Sequence, residues 1–215
     1  GEKLLYEEKV FENIAPGNIF FEPFFITIYH VSNQDKAISN NPTMQIDFEG
    51  RIMAKSKLDA SISVDLAGQA DNFTVAGNLE AIDAAQFNPM VENLLYVSIQ
   101  SGRVMNASFN FNANDTHSSG TLNLFYQDLK VKVLKDNRPD KDSRVMSLVA
   151  NNLVRNKNLK DDRKYLVGNI TFNRIKDKGI VNYMWNSVKT GLIGIIIPAA
   201  SKTEKIKVKN KRNKK

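Results

Sequence analysis

The side chains that could carry acid–base or metal chemistry are few in this chain and are not grouped. His30 and His117 are the two histidines. Neither has a second ligand at a metal-binding spacing, such as another histidine four residues away. The chain has no cysteine, which excludes disulfides, thiolate nucleophiles and thiolate metal ligands together. We therefore expect neither a bound metal nor a cofactor.

Acidic side chains are numerous, but they occupy the polar positions of alternating runs. Asp47, Glu49, Asp59 and Asp65 are examples, and a solvent-facing side of a sheet accounts for them. Hydrolysis by paired acids needs two carboxylates that converge on a cleft, and no spacing in this sequence indicates such a pair. No glycine-rich phosphate-binding loop is present either. The sequence therefore predicts a non-enzymatic protein.

Strands are predicted along most of the chain because apolar and polar residues alternate repeatedly. The clearest runs lie at 44–49, 58–66, 73–79, 97–99, 107–112 and 122–133. A turn-rich segment at 115–120 makes residues 103–134 a predicted long hairpin. Short turns between strands favour antiparallel pairing. The predicted fold is mainly β: an antiparallel meander forming a curved, open, barrel-like sheet or groove, with two or three short helices, mostly C-terminal.

Further strands are predicted at 19–22 and 25–31, separated by Pro23, and at 166–172. Asn88 followed by Pro89 is typical of a helix start. Apolar residues at helical spacing predict two later helices, at about 143–156 and 180–195. Residues 1–200 are thus predicted to be a single β-rich domain.

The segment 190–200 carries no charge over eleven residues, yet it is too short to cross a bilayer as a helix. One interpretation is a helix end or final strand that packs in the core. The other is contact with a membrane or a partner protein. The candidate contact residues are Trp185, Leu192, Ile193, Ile195, Ile196 and Ile197.

The positive charge of the chain is confined to its end. The formal net charge is +7, and residues 202–215 hold eight basic residues against Glu204, which also gives +7. Residues 1–200 are therefore neutral overall, which argues against a nucleic-acid-binding domain. The tail 201–215 is predicted to be disordered and solvated, and it could also attract anionic lipid head groups or, less fittingly, nucleic acid.

The apolar faces of the strands allow two arrangements. They can pack against one another in a closed sandwich or barrel core. Alternatively, a long curved sheet leaves an apolar trough that holds acyl chains while head groups stay in water. The candidate trough residues are Ile46, Phe48, Ile62, Val64, Leu66, Val75, Ile99, Phe109, Phe111 and Leu124.

Four stretches of this sequence resemble the C-terminal region of AsmA-like bacterial envelope proteins. They are FTVAGNLEAIDAAQFNPMVENLLYVSIQSGRVMNASFNF followed by SGTLNLFYQDLKVKVL, then SLVANNLVRNKN, and then GIVNYMWNSVKTGLIGI. The resemblance covers roughly residues 15–197 and has no catalytic motif.

The resemblance implies the outer-membrane-facing part of a periplasmic protein that is anchored in the inner membrane. In such a protein a β-groove conducts phospholipid between the membranes. Phospholipid is then the expected ligand, and a bacterial membrane surface or an outer-membrane protein is the expected partner. The basic tail departs from this family pattern. The alternative is a structural or protein-interaction β domain with a closed core and no lipid ligand.

Overall fold

One antiparallel sheet organises the protein. The computed structural model describes residues 1–9, 15–68, 71–134, 149 and 152–200. The strands are β1 (Leu4–Glu8), β2 (Gly17–Tyr29), β3 (Thr43–Ile52), β4 (Ser56–Asp65), β5 (Phe73–Leu79), β6 (Ile82–Asp83), β7 (Val97–Ala113), β8 (His117–Val133) and β9 (Gly168–Asn173). Their order in the sheet is β1-β2-β3-β4-β5-β7-β8-β9, with β6 paired to β7. The sheet is not closed into a barrel, so the predicted fold class is confirmed.

The helices lie mostly after the first half of the sheet, and all but the last are short. They are α1 (Asp35–Asn40), a 3₁₀ turn (Ala84–Phe87), α2 (Asn88–Leu95) and α3 (Ile180–Ile196). The range of α3 matches the helix predicted at 180–195. The helix predicted at 143–156 lies largely outside the described residues; Val149 is helical, but residues 152–156 are not. The basic tail 201–215 also lies outside them.

The side chain of Asn88 does not cap α2, although the helix begins there. Phe87 is the N-cap residue and makes no side-chain capping bond. The Asn88 amide instead bonds to both backbone groups of Ile99, with Nδ2 3.0 Å from the carbonyl oxygen and Oδ1 2.8 Å from the nitrogen. Asn88 therefore fixes α2 to the start of β7.

Pro23 does not separate two strands as predicted, because β2 runs through it. The pairing of β2 with β3 shifts register between Phe21 and Phe24. Proline has no N–H to donate, and a bulge in a strand is a position where that loss is tolerated.

The hairpin formed by β7 and β8 is longer than the one predicted from the sequence, because each strand has 17 residues. Ser118 to Gly120, which were predicted to lie in the turn, pair with Ala113 to Phe111.

Every long strand contributes apolar residues to the same face of the sheet. Cross-strand partners share a face, and one row of partners runs through Phe48, Ala60, Gly77, Phe109 and Leu122. We call this side the apolar face and the opposite side the polar face. The core lies on the apolar face, because this is the side of the sheet on which helices can bury apolar surface.

Helix α3 packs on the apolar face over β8 and β9. The hydroxyl oxygens of Ser118 and Ser187 lie 2.8 Å apart in the buried contact. A Cβ atom built on Gly191 would lie 3.0 Å from Leu122 and 3.2 Å from Ile170. Glycine at this position lets the helix approach the sheet closely, because a side chain would fill the gap.

The sheet wraps around α3 far enough for β1, at the opposite end of the strand order, to contact the helix. The Asn182 side-chain nitrogen donates to the Tyr6 hydroxyl oxygen at 3.1 Å. The rings of Tyr6 and Trp185 lie 6.5 Å apart, and Lys189 Nζ lies 3.5 Å from Glu8 Oε1. The N-terminal strand and the C-terminal helix are therefore packed together.

Candidate functional site

The part of the apolar face formed by β2, β3 and β4 is only partly covered. In the described ranges, neither α2 nor α3 packs extensively on β3 or β4. We call the half-buried and exposed apolar residues of this region the open apolar face. Its members are Ile26, Ile28, Ile46, Phe48, Ile62 and Val64. Ile26 is 49% and Ile28 51% exposed, so this surface offers apolar contact to a ligand.

Phe48 lies at one end of the open apolar face, where two aromatic rings hold its side chain in place. Its ring meets the ring of Phe21 edge-on at a centroid distance of 5.1 Å. It also stacks on Phe24 at 6.4 Å. Aromatic pairs at these distances and angles are favourable. Phe48 therefore closes the open apolar face with a rigid aromatic group.

Three of the candidate trough residues are core residues in the structure. Val75 is 3%, Phe111 1% and Leu124 4% exposed, because the helices cover their part of the apolar face. They are not available to a ligand, which corrects the prediction at these positions. Ile99 and Phe109 are half-buried and pack against the same core.

Four candidate trough residues do come together. Ile46, Phe48, Ile62 and Val64 lie side by side on β3 and β4. Ile62 and Val64 also touch the edge of the core. Leu66 lies just beyond the end of β4 and is half-buried, so it does not belong to this strand row. Of the ten predicted trough residues, these four thus form a continuous row on β3 and β4.

A hollow lies over the polar face, where the sequence analysis predicted no site. It has a volume of about 620 Å³. Its lining includes Asp47, Glu49, Asp59, Ser61, Ala76, Asn78, Ser108 and Asn110. Small side chains at several of these positions leave space above the strands, and this was the available signal. The apolar residues Phe25, Phe48 and Phe109 also border it, and two of these, Phe48 and Phe109, are predicted trough residues. We call it the polar hollow because acidic, hydroxyl and amide side chains of β3, β4, β5 and β7 line much of it.

The polar hollow carries a small charge cluster. Lys57 Nζ lies 3.1 Å from Asp59 Oδ1 and 3.5 Å from Glu49 Oε2. The hydrogen bond with Asp59 raises the pKa of the Lys57 ammonium above its usual range. The three charges are exposed, so we expect them to add solubility rather than much stability.

The six candidate contact residues near the C-terminus pack inward to different degrees. Ile195 is 0% and Ile197 5% exposed, which corrects the prediction that these two contact a membrane or partner. Leu192 and Ile196 are half-buried against the core. The reason is the close approach of α3 to β8 and β9, which buries the uncharged end of the helix.

The other two contact candidates are also packed within the protein. Ile193 packs against a second apolar cluster that includes Val97, and Trp185 is half-buried against Tyr6. The more exposed apolar residues of α3 are at its beginning, where Ile180 is 45% and Val181 50% exposed. Sequence reasoning missed these two, although they open the predicted helix.

The histidines lie apart from each other. His30 follows β2 with a φ of 59°, and His117 begins β8 with Nδ1 3.0 Å from the Thr116 hydroxyl oxygen. In the part of the chain that the structure describes, no three histidine or acidic side chains are grouped so that they could hold a metal.

Asp115, next to the β7–β8 turn, is paired with cations instead. Its Oδ2 lies 2.7 Å from Lys176 Nζ and its Oδ1 3.1 Å from Arg174 Nη1. The hydrogen bond from Lys176 holds the pKa of the Asp115 carboxyl below its usual range, and the charges of Lys176 and Arg174 act in the same direction. This is a surface ion-pair cluster that joins the turn to the loop after β9.

A helix can span a membrane only if it is long and apolar enough. Over residues 1–9, 15–68, 71–134, 149 and 152–200, no helix combines the length and apolar character needed to cross a bilayer.

Compared with known proteins, the sequence matches no protein-family model, no curated protein and no solved structure.

Proposed function

We propose that this chain is a non-enzymatic module of a bacterial cell envelope that binds phospholipid acyl chains on the open apolar face. The observation that carries the proposal is the incomplete cover of the apolar face over β2, β3 and β4. Ile26 and Ile28 are about half exposed there, next to Ile46 and Phe48.

The physical argument is the transfer of acyl methylene groups from water onto apolar side chains. Each buried CH₂ contributes about 0.8 kcal/mol, so contact with several methylenes suffices for reversible binding. The strands alternate, so polar side chains such as Asp47 and Ser61 lie on the opposite face. A lipid on the open apolar face keeps its head group in water at the edge of the sheet.

The basic tail supports a membrane-proximal setting. Residues 202–215 carry the whole net charge of +7. Each Lys or Arg near an anionic membrane surface contributes about 1 kcal/mol of attraction. We propose that the tail recruits the module to anionic lipid while the open apolar face holds the acyl chains.

The resemblance to AsmA-like proteins is what supports a proposal for the cellular location. We propose that the module works in the periplasm, within a protein that is anchored in the inner membrane and reaches the outer membrane. Phospholipid is the proposed cargo. The partner is then the outer membrane surface or a protein in it.

A second candidate function is a structural or protein-interaction domain without a lipid ligand. The burial of Val75, Phe111 and Leu124 favours it, because these residues would line the trough if the sheet were open throughout. In this case the open apolar face is a site for another protein.

Native mass spectrometry of the gently purified protein tests the proposal. We expect phospholipid to co-purify in defined stoichiometry, and organic extraction identifies it. Ile46→Asp introduces a charge into the open apolar face outside the buried core, and we expect it to remove the lipid while the thermal unfolding transition is kept. Thr43→Asp, an exposed position on the polar side of the same strand, is the matched control.

Two results would contradict the lipid proposal. One is a protein that arrives without lipid and takes up none from vesicles containing phosphatidylglycerol. The other is equal lipid loss in the Ile46→Asp and Thr43→Asp variants, since binding would then not depend on the apolar face. Either result would favour the protein-interaction function.

A further inference from the structure

We propose that the polar hollow binds an extended, neutral, β-linked glycan chain that lies across the strands of the sheet. Two neighbouring rows of cross-strand partners form the floor of the hollow. The first row runs from Phe25 to Asn123, and the second runs from Thr27 to Thr121. All residues of both rows line the hollow. Between these ends lie Glu49, Asp59, Asn78 and Ser108 in the first row and Asp47, Ser61, Ala76 and Asn110 in the second.

The hollow is long and narrow. Each row crosses six strands, from β2 to β5 and then β7 and β8. Neighbouring strands lie about 4.8 Å apart, so the five steps of a row give a length of roughly 24 Å. The two rows are two residues apart along each strand, which separates them by only about 7 Å. A volume of about 620 Å³ spread over that length fits one extended chain better than a compact molecule.

The charge of the hollow disfavours anionic ligands. Asp47, Glu49 and Asp59 contribute three carboxylates to the lining, and none of the described lining residues is Lys or Arg. Lys57, which is paired with Asp59 and Glu49, offsets one of the three charges and leaves −2. Such a surface repels the phosphate groups of lipids and nucleic acids, so we expect a ligand that is not an anion.

The other polar groups of the two rows are short hydroxyl and amide side chains. A hydroxyl or primary amide group both donates and accepts hydrogen bonds, and so does each hydroxyl group of a sugar. The rows therefore offer a chain of sugars a hydrogen-bond partner on nearly every strand. A peptide that binds a sheet as an extended strand uses the backbone of an unpaired edge. The floor of the hollow instead consists mostly of interior strands, whose backbone groups are paired within the sheet.

Two amide side chains of the first row are already held in place. Asn78 Oδ1 accepts from Asn106 Nδ2 at 2.9 Å, and Asn123 Oδ1 accepts from the Tyr165 hydroxyl at 2.7 Å. Both contacts use the amide oxygen. Among the described residues, the Nδ2 groups of Asn78 and Asn123 have no hydrogen-bond partner, so they can donate to sugar oxygens. Side chains that are fixed before binding lose less entropy when the ligand arrives.

Aromatic rings lie at both ends of the first row. Phe25 borders the hollow on β2. At the β8 end, the ring of Tyr165 stacks on the ring of Phe125 with a centroid distance of 5.5 Å and an angle of 7°. The face of an aromatic ring is partly negative, so the partly positive C–H groups of a sugar ring pack favourably on it. A polar row with an aromatic ring at each end is therefore suited to a glycan chain.

This site is distinct from the open apolar face. Asp47 and Ser61 are cross-strand partners, and so are their neighbours Ile46 and Ile62. Adjacent residues of a strand point to opposite sides of the sheet, so the glycan and the proposed lipid would bind to opposite sides of the same strands. The inference therefore goes beyond the proposed function and does not depend on lipid binding.

NMR titration of the isotopically labelled full chain with chitohexaose and with cellohexaose tests the proposal. Both probes are neutral, extended, β-linked chains. We expect saturable shifts of the side-chain amide signals of Asn78, Asn110 and Asn123, which lie in the hollow. The methyl signals of Ile46 and Ile62, on the opposite face, should stay unchanged. Maltohexaose, an α-linked chain that coils, is the control sugar and should bind more weakly.

A pair of lysine variants tests whether the hollow itself is the site. Asn110→Lys places a long side chain in the middle of the hollow, at an exposed position. We expect it to weaken the binding of both β-linked sugars about tenfold or more, because at least two hydrogen bonds are lost. Gln127→Lys adds the same side chain at an exposed position of β8 outside the lining and should leave the affinity unchanged. Thermal unfolding verifies that both variants are folded.

Three results would overturn the proposal. The first is the absence of saturable shifts with both β-linked sugars. The second is equal weakening in the Asn110→Lys and Gln127→Lys variants. The third is a lysine-rich peptide that shifts the asparagine side-chain signals while the sugars do not, which would assign the hollow to a cationic partner. None of these depends on the lipid test, because that test follows Ile46→Asp on the other face.

Discussion

The side-chain amide of Asn158 bonds to both backbone groups of Leu166. Asn158 Oδ1 lies 2.9 Å from the Leu166 nitrogen, and Nδ2 lies 2.9 Å from the Leu166 oxygen. Nδ2 also donates to the Leu124 oxygen at 2.8 Å. Asn158 is 0% exposed, so this buried amide connects the segment before β9 to β8.

We expect Asn158→Ala to destabilise the protein by roughly 3 kcal/mol or more. The change removes three hydrogen bonds and leaves buried backbone groups without partners, each of which costs about 1–3 kcal/mol. Urea unfolding followed by circular dichroism measures the loss. Asn156→Ala, at an exposed position nearby, should change the free energy of unfolding little. Equal effects of the two changes would contradict the role of the buried amide.

Gly120 and Gly179 should respond to replacement by alanine to very different degrees. Gly120 lies across from Phe111, and a Cβ atom there would overlap the Asn110 carbonyl oxygen and the Phe111 Cα atom. We expect Gly120→Ala to cost about 3 kcal/mol, because the backbone of β7 must move. Gly179 has no atom within 4 Å of a built Cβ, so its replacement should cost less than about 1 kcal/mol. Thermal unfolding of the two variants measures the difference.

The contact between β1 and α3 can be followed through the single tryptophan. Trp185 packs against Tyr6, so Tyr6→Ala should expose the indole and shift its fluorescence emission to longer wavelength. The lost aromatic contact and burial should lower the free energy of unfolding by about 2 kcal/mol. Leu5→Ala changes the neighbouring residue, which is 49% exposed, and should leave the emission unchanged. An unshifted spectrum in Tyr6→Ala would rule out this packing.

Alkaline pH should destabilise the protein through Tyr126. Burial raises the pKa of Tyr126 from 10.0 to about 12, and its hydroxyl donates to the Arg155 oxygen at 3.1 Å. A folded-state pKa above the unfolded value means that the stabilisation is complete below pH 10. It is lost as the pH rises from 10 towards 12, by roughly 3 kcal/mol in total. Tyr126→Phe should flatten this part of the stability curve, as measured by urea unfolding between pH 9 and 12.

The strands were predictable because their signal is local. Alternation places side chains on two faces whatever the rest of the fold does, so the rows through Ile46, Phe48 and Ile62 could be read directly. Strand β1 was missed because Leu4 and Leu5 are adjacent and break the alternation. Its pairing depends on β2 and α3, which are contacts between distant parts of the chain.

The extent of the candidate site depended on which helix covers which strands. Phe111 and Ile62 carry the same alternation signal, yet Phe111 is buried in the core and Ile62 lies at its edge. The difference comes from the docking of α3, which Gly191 permits by its close approach to Leu122. Periodicity within a strand contains no information about that docking.

The bond between Tyr6 and Asn182 joins residues 176 positions apart in sequence. A ribosome makes about 5–20 residues per second, so β1 leaves the ribosome roughly ten to thirty seconds before its helical partner exists. The successive hairpins of the sheet can form during that time, because each pairs with its neighbour in the chain. The apolar face beneath α3 stays uncovered until α3 has been made, so the growing chain exposes apolar surface throughout this interval.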